Sequence, residues 1–194
     1  MFILDTDVLS ATHRKRPPPS LVDWLTSLPT SDICTSEIVI TEIEAGIARL
    51  IEKGSPEAVP AVRWFEKSIL PIVTVIPFMR PAGSLYSRMV AIQDLRTLVI
   101  FDPRSRKSLP GADLMIAATA ISIGAPVATR NVRHFLRIHE YFQLPGLYDP
   151  FTGAWAIDQT GQLEFQFGTP VEGGFRQLIS AHEDPDGEQL AFVA

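Results

Sequence analysis

Cysteine is nearly absent from this 194-residue chain, Cys34 standing alone. No internal disulfide can form, and a single thiol fits a reducing compartment. Histidine is scarce as well. Four scattered histidines with one cysteine suggest no zinc site, and His134 makes no convincing ligand pair with His139. Long hydrophobic runs are missing. The longest weakly polar stretch, 114–128, contains Thr119, Ser122, Gly124 and Pro126 and is a poor membrane span. The amino terminus lacks the basic start and small-residue cleavage site of a secretory signal. Internal repeats and low-complexity domains are absent. These gaps point to a cytoplasmic protein. Its 46% hydrophobic and 20% charged residues fit a soluble globular chain, long enough for one domain with an appendage.

Positive charge is also in short supply overall, since the net charge is −5. The deficit is local. Residues 156–194 hold one base, Arg176, against seven acids, whereas residues 1–155 hold 16 bases and 15 acids. The bases of that larger part gather in short groups: Arg14, Lys15 and Arg16; Arg104, Arg106 and Lys107; Arg130 and Arg133, with Arg137 beyond. Such runs are ordinary solvated surfaces when taken singly. Close in sequence to candidate carboxylates, they are candidate contacts for a polyanion.

What is present is an alternation of strand and helix patterns. Short apolar segments at 2–4, 33–35, 73–77, 126–129 and 146–148 read as strands. Helical periodicity covers 20–27, 36–53 with Gly54 as its stop, 56–68, 84–97 and 114–123, the last stopped by Gly124. Residues 102–110 form a basic, proline-bounded loop. This alternation predicts an α/β fold with a mainly parallel sheet covered on both faces, and sites in such sheets lie beyond the carboxyl ends of the strands. Asp5 follows the first strand and Arg130-Asn131 follow the fourth, so both would project to one rim. Beyond Trp155 the character changes. A hairpin with its turn at 158–161 and an acidic polar stretch make 156–194 an accessory tail.

The candidate site residues each have an ordinary structural explanation. Asp5 can cap the next helix, and Asp7 shares that ambiguity, with Thr6 pointing to the opposite face if the strand extends so far. In the 36–53 helix, Val39, Ile40, Ile43, Ile47, Leu50 and Ile51 form the buried stripe. Glu37 and Glu44 flank one edge, Glu42 flanks the other near Gly46, and Glu52 lies opposite. Gly46 favours Glu42, because a helical residue without a Cβ allows close approach. Asp113 opens a helix apolar on nearly every side, where it either caps or aims at the rim holding Asp5. Asn131 follows a strand, a common turn position, and His134 is either solvent-exposed or packed beside Phe135. Three carboxylates near one rim suit Mg²⁺ or Mn²⁺, hard ions that take oxygen ligands and offset the mutual repulsion of the acids.

In order, "FILDTDVLS", "VITEIEAGI", "PGADLMIAATA" and "VATRNVRHF" resemble the four motifs of PIN-domain ribonucleases, particularly VapC toxins and their FitB-like relatives. The resemblance covers 1–155. It implies a PIN-like α/β/α sandwich, an endoribonuclease acting as the toxin of a type II toxin–antitoxin system, Mg²⁺ or Mn²⁺ as cofactor, a homodimer and a VapB-type antitoxin. It carries metal-site roles onto Asp5, Glu42 and Asp113, with Thr6 and Thr129 supporting through their hydroxyls. The fourth position departs from the pattern. Relatives place an acid where Asn131 stands or three residues later, where this chain has His134. Asn131 can still offer a carbonyl or hold a water, so weaker metal binding is expected. Two rivals compete: a PIN-fold binding module weakened in catalysis, and a haloacid-dehalogenase-type phosphatase using Asp5 and Asp7. The phosphatase needs a later lysine, and none occurs after Lys107.

Overall fold

The computed structural model describes residues 1–99 and 110–158. The basic loop residues Arg104, Arg106 and Lys107 and the expected 158–161 turn therefore lie outside the described residues, apart from Asp158. Six strands form one sheet: β1 (Phe2–Leu4), β2 (Ile33–Ser36), β3 (Thr74–Ile76), β4 (Val127–Ala128), β5 (Leu147–Asp149) and β6 (Ala154–Ile157). Their spatial order is β3-β2-β1-β4-β5-β6. The first five are parallel and β6 runs antiparallel to β5. Among the described residues seven α-helices flank the sheet in an α/β/α sandwich: α1 (Thr6–Thr12), α2 (Pro19–Ser27), α3 (Glu37–Glu52), α4 (Ala58–Trp64), α5 (Arg80–Ala91), α6 (Ala112–Ile123) and α7 (Val132–His139).

The order of the strands locates the functional rim. From β1 the chain winds outward through β2 to β3, then returns to lay β4 on the opposite side of β1. The crevice between the carboxyl ends of β1 and β4 is therefore the topological switch point. β1 is zipped to β4 up to that rim by the amide of Asp5, which donates to the Ala128 carbonyl at 3.0 Å, and β4 to β5 by the amide of Thr129, which donates to the Tyr148 carbonyl at 3.0 Å. Ile3, Leu4, Val127, Ala128, Ile33 and Leu147 are buried, as expected of a parallel sheet covered on both faces.

Several local expectations need correction. The first strand ends at Leu4 as expected and Asp5 is the N-cap of the next helix, but that helix, α1, is not delimited by the sequence pattern, and Thr6 lies in it rather than in a strand. The 84–97 helix starts earlier, at Arg80, where Pro81 suits the first turn, and breaks at Ile92 into a 3₁₀ segment, Gln93–Leu98. The 56–68 helix ends in a π-helical turn, Phe65–Ile69. The stripe of α3 holds at Val39, Ile40 and Ile43 and gains Ile38, but it fails at Ile51, which is 58% exposed. Gly54 ends α3 at φ 61°, a conformation costly for any other residue. Among the described residues no helix is long and apolar enough to cross a membrane.

Candidate active site

Each carboxylate reaches the rim by a different local device. The backbone of Asp5 is extended, which leaves it outside α1, and its Oδ1 accepts the Thr6 amide at 2.7 Å. Capping and placement at the site are thus compatible, because the other oxygen, Oδ2, accepts the Thr129 hydroxyl at 2.7 Å. Thr6, the first residue of α1, turns its hydroxyl to Glu42 Oε2 at 2.6 Å, which ties α1 to the second turn of α3. Glu42 is half-buried, whereas Glu37, Glu44 and Glu52 are exposed. The reason given for preferring Glu42 does not hold, however: a Cβ on Gly46 would meet nothing within 4 Å.

Asp113 sits in the first turn of α6. The capping position is Gly111, at φ 78°, where a Cβ would come within 3.3 Å of the Tyr86 hydroxyl. Asp113 is therefore not the cap. It is 6% exposed, and its Oδ2 lies 3.1 Å from Asn131 Nδ2 and 2.6 Å from His134 Nδ1. Those two nitrogens are 2.9 Å apart. With Nδ1–H donated to the carboxylate, they are two donors converging on one oxygen. His134 thus neither faces solvent alone nor merely packs beside Phe135. It contacts the site, at a position the family resemblance marks as one where relatives carry an acid, and what the sequence does not foresee is its contact with Asp113. Asn131 and His134 share the first turn of α7, which starts at Val132.

Thr129 is fully buried and joins the two halves. Its Oγ1 donates to Asp5 and accepts the Asn131 amide at 2.9 Å. Asp7 approaches the same hydroxyl at 3.5 Å and accepts the Arg130 amide at 3.0 Å through Oδ2. A chain of contacts therefore runs from Glu42 through Thr6, Asp5 and Thr129 to Asn131 and Asp113. Arg130 is exposed and its guanidinium lies over the Phe151 ring at 5.4 Å. Arg133, Lys15 and Arg16 are exposed too, and Arg14 is partly so.

The electrostatics are those of carboxylates crowded out of water. Burial first, then Asp7 and Asp113, push Asp5 well above the usual carboxylate range, against hydrogen bonds from Thr129 and Thr6. Burial likewise raises Asp7 to about 6, with Asp113 and Asp149 adding to the rise and the amides of Arg130 and Val8 opposing it. Asp7 Oδ1 is shut off from solvent and receives no well-aligned hydrogen bond among the described residues, the Val8 amide beside the carboxyl donating instead to the Asp5 carbonyl at 3.1 Å. Hard oxygen donors, mutual repulsion and an orphaned buried oxygen fit a divalent cation. Among the described residues no three His, Cys, Asp or Glu side chains are drawn together closely enough to ligate one ion as they stand.

The same arrangement has relatives. The PIN-domain family model matches residues 2–140. Toxin FitB of Neisseria gonorrhoeae is 33% identical over 137 residues, covering 70% of this chain and 91% of FitB. VapC ribonuclease Y4jK of Sinorhizobium fredii is 29% identical over 137 residues, covering 70% and 90%. Among solved structures, FitAB bound to an IR36 DNA fragment matches with TM-score 0.58 at 30% identity, over 78% of this chain and 96% of the matched one. VapBC-1 from nontypeable Haemophilus influenzae, at 22% identity and TM-score 0.53 over 77% and 97%, shares the fold. With its motifs on one rim and its sheet order in place, the chain belongs to the PIN-domain family.

Proposed function

We propose that this protein is a Mg²⁺- or Mn²⁺-dependent endoribonuclease, the cytoplasmic toxin of a toxin–antitoxin pair. One observation carries the reading. Asp5, held by Thr129, meets the repulsion of Asp113 in the β1–β4 crevice, and Glu42 is tied to the same place through Thr6. Asp5, Glu42 and Asp113 would hold the ion. When bound, it would acidify and orient the attacking water and neutralise charge on the phosphodiester. The chain's own residues do the rest. Thr6 and Thr129 fix the carboxylates, and Asn131 orients Asp113. Arg14, Lys15, Arg16, Arg104, Arg106, Lys107, Arg130 and Arg133 contact RNA phosphates as a sequence-independent clamp. The partners are a VapB-type antitoxin and a second copy of the chain in a homodimer, with 156–194 as an accessory tail to the 1–155 domain. The solved relatives named FitAB and VapBC support the antitoxin.

A second reading keeps the fold and drops the chemistry. It is favoured by the neutral amide of Asn131 and by His134 occupying Asp113. Purified protein assayed on RNA with Mn²⁺, beside an Asp5→Asn control, separates the two. The nuclease reading expects metal-dependent cleavage that the substitution abolishes. Cleavage equal in both samples would mark a contaminant, and none in either would favour the binding module.

A further inference from the structure

Resting on the metal-dependent reading above, we infer that Asp7 is a fourth carboxylate ligand of the same ion, so that the acid missing from the α7 side is supplied from α1. The argument starts from what α7 offers Asp113, which is donors only. Asn131 Nδ2 and His134 Nδ1 both point at Asp113 Oδ2, at 3.1 and 2.6 Å. Neither atom can coordinate a cation while it donates to that oxygen, and although Asn131 Oδ1 and His134 Nε2 keep their lone pairs, neither residue brings a negative charge. An additional charged ligand has to come from elsewhere on the rim.

Asp7 is placed to give it. Its Oδ2 is anchored by the Arg130 amide at 3.0 Å and stands 3.5 Å from the Thr129 hydroxyl that also holds Asp5 Oδ2 at 2.7 Å. Two carboxylates thus converge on one side chain at the end of β4. The second oxygen of Asp7 is enclosed without a well-aligned donor among the described residues, because the nearby Val8 amide is directed to the Asp5 carbonyl at 3.1 Å. A buried carboxylate oxygen left so is costly, and each such atom in a native fold calls for an explanation such as an ion. The acids near Asp7 are Asp113 and Asp149, which repel it and thereby favour a cation between them. A structural role alone would explain Oδ2, through its hold on the β4–α7 turn. It leaves Oδ1 without a purpose.

Mn²⁺ binding to the full chain, measured by calorimetry and by the loss of the free-ion paramagnetic resonance signal, tests this without any assay of activity. Asp7→Asn keeps an acceptor for the Arg130 amide, so the turn survives. It should weaken Mn²⁺ binding about tenfold or more, and Asp5→Asn should abolish it. The double variant Asp7→Asn/His134→Asp, which returns an acid to the α7 side, should recover most of the loss. Wild-type affinity in Asp7→Asn, with Asp5→Asn silent, overturns the assignment of Asp7 and leaves the metal site standing. A double variant no tighter than Asp7→Asn also overturns it. Equal Mn²⁺ binding by wild type and Asp5→Asn would remove the metal reading itself.

Discussion

Thr6 Oγ1 donates to Glu42 Oε2 at 2.6 Å, joining residues 36 positions apart at the meeting of α1 and α3. Glu42 stands on a helix whose exposed neighbours, Thr41 and Glu44, face solvent, so this bond orients the one glutamate turned to the crevice. Thr6→Val, nearly the same volume, removes the hydroxyl donor that orients Glu42. Residues that orient metal ligands typically matter by 10–100-fold. The expected outcome is a loss of that order in metal-dependent RNA cleavage with the far-ultraviolet dichroism unchanged. Thr6→Ser should restore activity, and a Thr6→Val enzyme as fast as wild type would dismiss the contact.

Thr129 has a heavier structural duty, because its hydroxyl serves Asp5 and the Asn131 amide together. Thr129→Val would leave that partly buried amide without its acceptor and the buried Asp5 Oδ2 without its hydroxyl donor. Each loss costs about 1–3 kcal/mol. Urea unfolding of the metal-free protein should show a loss on the order of 3 kcal/mol with an unchanged m-value, and Thr129→Ser should recover most of it. A Val variant within about 0.5 kcal/mol of wild type would mean that water serves both groups.

The sequence disclosed elements in proportion to their length and periodicity. The 16-residue α3 and the nearly all-buried α6 carry a pattern that can be read directly, and the glycines after them mark their ends. The eight-residue α7 and seven-residue α1 are barely two turns, too short for a stripe to declare itself, and β4 is a pair of residues. Asp5, Glu42 and Asp113 were legible because their motifs follow a strand end, a helix edge and a helix start. Glu42 was chosen for a reason the structure does not support, since Gly46 faces open space. His134 was marked by the motif resemblance, but its role was not legible. Its contact with Asp113 depends on how α6 and α7 approach one another, and one-dimensional spacing does not encode that. Asp7 stayed ambiguous because its pairing with Arg130 spans 123 positions.

Asn131→Asp tests the electrostatic side of the site. It replaces a donor to Asp113 with an acid beside an acid, which destabilises the metal-free fold and strengthens cation binding. The expected outcome is a lower melting temperature in chelator, and about tenfold tighter Mn²⁺ binding by calorimetry. No gain in affinity would show that the neutral amide does not limit the ion.

The last prediction concerns pH and the metal-free protein. Asp7 titrates at about 6 in the fold against 3.8 as an unperturbed group, chiefly through burial. The folded state holds this proton more tightly than the unfolded chain, so between those two values the unfolded state binds fewer protons and stability falls as pH rises. The contribution of protonated Asp7 is full below pH 3.8, declines through the interval and is gone above about 6. At about 1.4 kcal/mol per unit, the change is on the order of 3 kcal/mol. Other acids titrate across the same range, so the informative quantity is the difference from Asp7→Asn, which cannot ionise. In chelator, the stability advantage of the Asn variant over wild type should widen from pH 4 to pH 6.5 by that order. Saturating Mn²⁺ should shrink or reverse it, because a cation favours the ionised wild-type carboxylate. A difference constant with pH in chelator would show that Asp7 ionises normally, and that the crevice is wetter than its closed oxygen implies.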